Sequence, residues 1–193
     1  MTLTLRPGLA ILLSSALILS TPMARADQVA DTIQSALEAY QAGDIQYAME
    51  ELAYAQQQLQ AMKADSLSAF LPDAPDGWTR SVNTDMNAGL MMMGGGTGAE
   101  ARYEGAGNSF TLTLTADNPM VASMGAMLGN ATMMAQMGGK VERIGRQRFL
   151  NQNDSLSGLV GNRVLVQAQG GEVADMMKVL EAIDFAGLEK FGN

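Results

Sequence analysis

The chain has 193 residues, 20 acidic and 12 basic, a formal net charge of −8, 16 methionines, and neither histidine nor cysteine. This excludes Ser-His-Asp and Cys-His triads, thiolate nucleophiles, disulfides, zinc fingers, Cys-ligated iron–sulfur clusters and His-ligated haem or blue copper. A sequence pI near 4.4 argues against nucleic acid as a partner, because neutralising phosphates needs a clustered basic face.

Residues 1–26 read as a signal peptide. Arg6 is the one cation at the start, and an uninterrupted weakly polar-to-apolar run extends from Leu9 to Leu19. Pro22 and the A-x-A site Ala24-Arg25-Ala26 then precede Asp27. A run of that length, at ~1.5 Å per residue, covers about half of a bilayer core, so a permanent span is not expected. No cysteine stands at the cleavage point to carry a lipid. Removing the segment deletes Arg6 and Arg25, raises the net charge to −10, and leaves no later run of membrane-spanning length. The expected product is periplasmic, with no membrane span after signal removal.

Residues 27–71 read as a helical hairpin. Val29, Ile33, Leu37 and Tyr40 follow one face of a 3.6-residue period, and Ile45, Met49, Leu52, Gln56, Leu59 and Met62 form a second stripe. Gly43-Asp44 supplies a helix stop and a new N-cap, and so short a connection makes the pair antiparallel. The segment from Ala36 to Asp44, with Ala48, Leu52 and Ala55, resembles half of a tetratricopeptide repeat. Only one copy is visible, so a hairpin docked on a neighbour is expected rather than a solenoid.

Leu71-Pro72-Asp73-Ala74-Pro75-Asp76-Gly77-Trp78 ends the helix and opens residues 72–193, where the period changes to 2. Trp78, the single tryptophan, reads as an anchor of this linker on the sheet. Residues 99–104 and 110–115 predict a hairpin about Gly105–Asn108. Asn118-Pro119 opens a helix that closes at Gly138-Gly139. Lys140–Ile144 and Gln147–Asn151 predict a second hairpin, with a strand over Asn162–Gln169. In the final helix Val173, Met176, Met177, Leu180 and Ile183 point inward. The order gives an α+β chain: an N-terminal helical hairpin followed by an antiparallel sheet with two packed helices, a sandwich rather than a βαβ fold.

The Gly43-Asp44 turn and the Leu-Pro-x-x-Pro-x-Gly-Trp segment resemble a family of exported Gram-negative proteins of unassigned function. The Gly-rich loop, Ala116-Asp117-Asn118-Pro119 and Ala182-Ile183-Asp184-Phe185 fit it too. The strand-and-helix order is also loosely similar to the PsbP-like sandwich fold, which implies an accessory or assembly role. These motifs are structural punctuation and carry no catalytic signature.

Methionine is the remaining chemical signal. Thioethers select Cu(I) or Ag(I) without help from His or Cys. Met120, Met124, Met127 and Met134 fall on one arc of a continuous helix and are expected in the core. Met133 and Met137 point the other way, and with Met91, Met92 and Met93 they are the candidate metal ligands. The segment 85–98 is expected as a loop, and Leu90, Met91, Met92 and Met93 are its candidate contacts for a protein partner. Its glycines do not form a nucleotide-binding pattern. Asp73, Asp76, Glu50 and Glu51 form no acid–base pair or metal cage, and no S-x-x-K spacing is present, so no catalytic residue is assigned. Lys140, Arg143, Arg146 and Arg148 read as the charged protection of an edge strand. The sequence therefore points to a non-enzymatic binding or accessory protein that requires no cofactor and contacts an unidentified envelope protein. The alternative is a methionine-ligated Cu(I)/Ag(I) carrier.

Overall fold

A computed structural model describes residues 23–105, 107–136 and 138–192. Most of the expected leader, and Met137, lie outside the described residues. The chain divides into two compact units, residues 1–55 and 56–193. Among the described residues no helix is long and apolar enough to cross a membrane.

The first unit holds α1 (Met23–Gln41) and the first half of α2 (Ile45–Ser68). The turn between them forms as its residues dictate. Gly43 takes φ +83°, and the Asp44 side chain accepts a hydrogen bond from the Tyr47 backbone N–H at 3.1 Å. α1 begins before the expected Val29: residues 25–28 are helical but exposed, so the apolar period does not register them. The buried positions here are small: Val29, Thr32, Ala36 and Ala39 on α1, with Ala48 and Ala55 on α2.

The second unit is built on one seven-stranded antiparallel sheet. Its strands are β1 (Trp78–Asn83), β2 (Thr97–Gly105), β3 (Asn108–Ala116), β4 (Lys140–Ile144), β5 (Gln147–Gln152), β6 (Ser155–Val160) and β7 (Val164–Gln169). The spatial order is β1-β2-β3-β7-β6-β5-β4. The expected α+β class is therefore the observed one. Tight turns of two residues between β5 and β6 and three between β6 and β7 set much of the register. Asn153-Asp154 and Gly161-Asn162 have positive φ at both positions, the mirror-image turn whose twist matches paired strands.

Alternation along the strands gives the sheet two unlike faces. One carries Tyr103, Phe110, Leu112, Leu114, Val166, Leu156 and Phe149, all buried. Against it pack the end of α2 through Leu67 and Leu71, α6 (Val173–Glu181) through Met176, Val179 and Leu180, and α7 (Phe185–Leu188) through Leu188. Trp78 anchors the linker here, its ring 5.7 Å from Phe110, which stacks at 5.0 Å on Tyr103.

The opposite face is covered only in part. Leu150, Leu159, Leu165 and Val141 meet Val121, Met124, Leu128 and Met134 of α4 (Pro119–Leu128) and α5 (Ala131–Gln136). The single helix expected from Pro119 onward breaks at Gly129-Asn130, where Asn130 caps α5 by accepting from the Thr132 N–H at 2.9 Å. Met134, beyond the break, is buried as expected, but on α4 the packed face is Val121, Met124 and Leu128, which leaves Met120 and Met127 to one side, 50% and 40% exposed.

Four elements are additional to those the periodicity predicts: β1, α3 (Met86–Met92), β6 and the short α7. β6 hides because Ser155, Ser157 and Gly158 dilute its apolar residues, yet Gly158 is required: a Cβ there would meet the Phe149 ring at 2.8 Å. α3 occupies the segment expected as a loop.

Candidate functional site

Three places carry the features that sequence reasoning singled out, and the helical hairpin carries the largest. Its apolar stripes are not where it packs. Ile33, Leu37 and Tyr40 of α1 are 45%, 47% and 64% exposed, and Ile45, Met49 and Leu52 of α2 are 52%, 63% and 53% exposed. The apolar period marks an exposed face here, and Val29 alone of the first stripe is buried. Alanines 36, 39, 48 and 55 are buried, so the short turn assigns the shared helix faces to them and leaves the large residues to one side.

The two stripes turn aside in the same direction. At ~100° per residue, viewed from each helix's N-terminus, each stripe lies about 80–90° round in the same sense from its buried face. In an antiparallel pair that sense brings both stripes onto one side of the hairpin. The six residues therefore make one apolar face two helices wide. Asp27, Asp31 and Glu38 of α1 and Glu50 of α2 fall well away from it on the same helical count. Tyr47 and Tyr54, 45% and 49% exposed, lie on the other side.

The second place is α3 and the chain that follows it. Asn87 holds the helix to β2: its side-chain carbonyl accepts from the Gly98 N–H at 2.7 Å and its amide donates to the Gly98 carbonyl at 2.8 Å. Gly98 lets α3 lie close to β2, since a Cβ there would meet the ends of the Leu90 and Met86 side chains at 2.8 Å. Leu90, a predicted partner contact, is thus half-buried as an anchor of α3. Met91, Met92 and Met93 are 46%, 92% and 57% exposed. After them Gly94 approaches Pro119, and the Asn118 amide donates to the Gly95 carbonyl.

Among the described residues, the candidate metal ligands Met91, Met92, Met93 and Met133 do not converge. Met133 is 46% exposed on α5, which packs on β4, whereas Met91–Met93 follow from α3 on β2. β2 and β4 stand five positions apart in the sheet, about 24 Å at the usual strand spacing. Among the described residues, no cluster of three or more acidic, His or Cys side chains is arranged to hold a metal.

The third place is polar. Asn108, Thr111, Asp154, Ser155, Gln169 and Glu172 line an open depression of about 700 Å³ at the strand ends. Asn108 and Lys178 reach Asp175 at 3.2 and 3.0 Å, and those contacts, Lys178 first, hold its carboxyl below the ordinary range. A separate charge cluster centres on Asp117, which Lys63 and Arg163 both meet at 2.8 Å. Burial pushes the Asp117 carboxyl up, but hydrogen bonds from Lys63 and Arg163 outweigh it and leave the pKa lowered. Asp117 also takes φ +53°, as the link between β3 and α4. Asp73, one of the linker carboxylates, pairs with Arg80 at 3.2 Å and is otherwise in solvent. Arg80 also donates to the carbonyls of Leu71 and Pro72 at 2.7 and 3.0 Å. These ion pairs tie elements together, and the Asp117–Arg163 and Asp73–Arg80 pairs each line a shallow pocket.

Sequence reasoning missed the polar depression, which two hairpin turns and the β7–α6 connection build together, and it left open which way the hairpin stripes turn. The signal for the latter was present in the alanine spacing. Compared with known proteins, the chain matches no family model, no curated protein and no solved structure.

Proposed function

We propose that the protein is a periplasmic, non-enzymatic binding or accessory protein, exported by a cleaved signal peptide, that acts through protein–protein contact on the apolar face of its helical hairpin. The observation that carries this reading is the exposure of six large apolar side chains, each near half or more, on one side of two helices whose alanines are buried. Isolated exposed apolar residues are ordinary on a protein surface, but a contiguous patch of this kind marks an interaction site. The partner shares the compartment, so it is an envelope protein. Likeness to a family of exported proteins, carried by the Leu71–Trp78 segment and the Gly43-Asp44 turn, supports the same compartment.

The test is site-specific photo-crosslinking in cells with the probe placed at Leu37 or Met49, and at Glu38 or Tyr47 as controls. Defined adducts at the first pair and none at the second are expected, on a chain whose mass begins at Asp27. Equal labelling at all four positions, or none at Leu37 and Met49, would refute the proposed surface.

A further inference from the structure

We infer that the occupant of this face is the same face of a second copy, so that two hairpins close into a four-helix bundle. The inference rests on the reading that the face is the contact surface, and it names the partner. The residue spacing is the first support. Ile33-Leu37-Tyr40 and Ile45-Met49-Leu52 both run at intervals of four and three, the rhythm that keeps a seam facing a neighbouring helix in a left-handed bundle. The width is the second. One incoming helix fills the seam between α1 and α2 but leaves the outer half of each stripe wet, whereas another hairpin matches it.

Charge agrees with a second copy. The hairpin is acidic, yet Asp27, Asp31, Glu38 and Glu50 lie off the face, so two copies meet through uncharged surface. A basic partner would find no carboxylate among the six contact residues. The area also suffices. Six large apolar residues about half exposed offer an area on the order of 600 Å² per copy, near the ~800 Å² that each partner gives to a standard interface. Two copies then bury about 1,200 Å², at the lower bound of a specific interface. A two-fold axis makes such a contact isologous and closed, so growth stops at the dimer.

The experiment is sedimentation velocity of the chain as isolated from cells, at 0.5–50 µM and at about 0.05 and 0.5 M salt. A species of twice the 20.4 kDa chain mass is expected, less any leader removed. Because the rims repel, it should hold or tighten at high salt. Leu37→Gln with Leu52→Gln should raise the dissociation constant at least about 30-fold, with an unchanged circular dichroism spectrum. Tyr47→Gln with Tyr54→Gln should leave it unchanged. Since the chain has no cysteine, Met49→Cys gives an independent reading: it should form a disulfide-linked dimer on mild oxidation, and Tyr47→Cys should not. A monomer throughout, or a dimer indifferent to Leu37 and Leu52, overturns the inference. If the in-cell adducts at Leu37 then contain a different protein, the contact surface stands and only the second copy falls. If no adducts form, both fall.

Discussion

Asn87 shows how much one side chain does in this fold. Its amide satisfies both the N–H and the carbonyl of Gly98, and so does the work of a neighbouring strand where α3 lies over β2. Asn87→Ala should cost about 1–3 kcal/mol, because it strands two partly buried backbone groups. Chemical denaturation read by circular dichroism checks this, together with faster hydrogen exchange at Gly98. Asp117 carries a pH signature. Its folded pKa is lowered, so its contribution is present above the unfolded carboxylate value near ~4. That contribution is lost as the pH falls from there through the folded value. Asp117→Asn should flatten that acid limb and cost about 1 kcal/mol at neutral pH, since the pairs with Lys63 and Arg163 are partly exposed. Tyr103 behaves in the opposite sense. Its hydroxyl donates to the Pro72 carbonyl at 2.6 Å, and burial pushes its pKa to about 12. The stability it contributes is complete below the unfolded value near ~10 and disappears as the pH rises through the folded one. Tyr103→Phe should remove that alkaline loss, read as the unfolding free energy between those two values.

At the scale of elements, strands with one wet and one covered face were legible. β3 alternates Thr with Leu, and its register with β2 and β7 puts every Leu on the buried side. β6 was not legible, because two serines and a glycine obscure its period and the need for Gly158 exists only once Phe149 lies beside it. α3 was hidden for a related reason: it is seven residues long, too short for periodicity to be decisive. In the hairpin the period was read correctly, but the way its stripes turn is not contained in it. A stripe of Ile, Leu and Met says that a face is apolar, and the alanines decide which face the two helices share. Ala36→Leu tests this directly. It should force the helices apart and lower hairpin stability by about 1–3 kcal/mol, whereas Leu37→Ala, on the exposed stripe, should change it by less than about 1 kcal/mol. Hydrogen exchange on α1 distinguishes the two.

For the whole molecule, composition and charge removed most chemistries at once, and the α+β class followed from the order of periods. The candidate site was less legible, because exposure is a relation between elements. Four of the thioether candidates, Met91–Met93 and Met133, belong to helices on strands five places apart, a separation that sequence spacing does not contain. The same holds for the hairpin face, assembled from two helices that turn their large residues to one side. The methionines themselves offer the most direct measurement, hydroxyl-radical footprinting in intact cells against dilute purified chain. Met49, 63% exposed on the hairpin face, should be protected in cells and oxidised in dilution, while Met92, 92% exposed on α3, should be oxidised in both. Protection of Met92 with Met49 left open would contradict the hairpin as the contact surface and move it to α3.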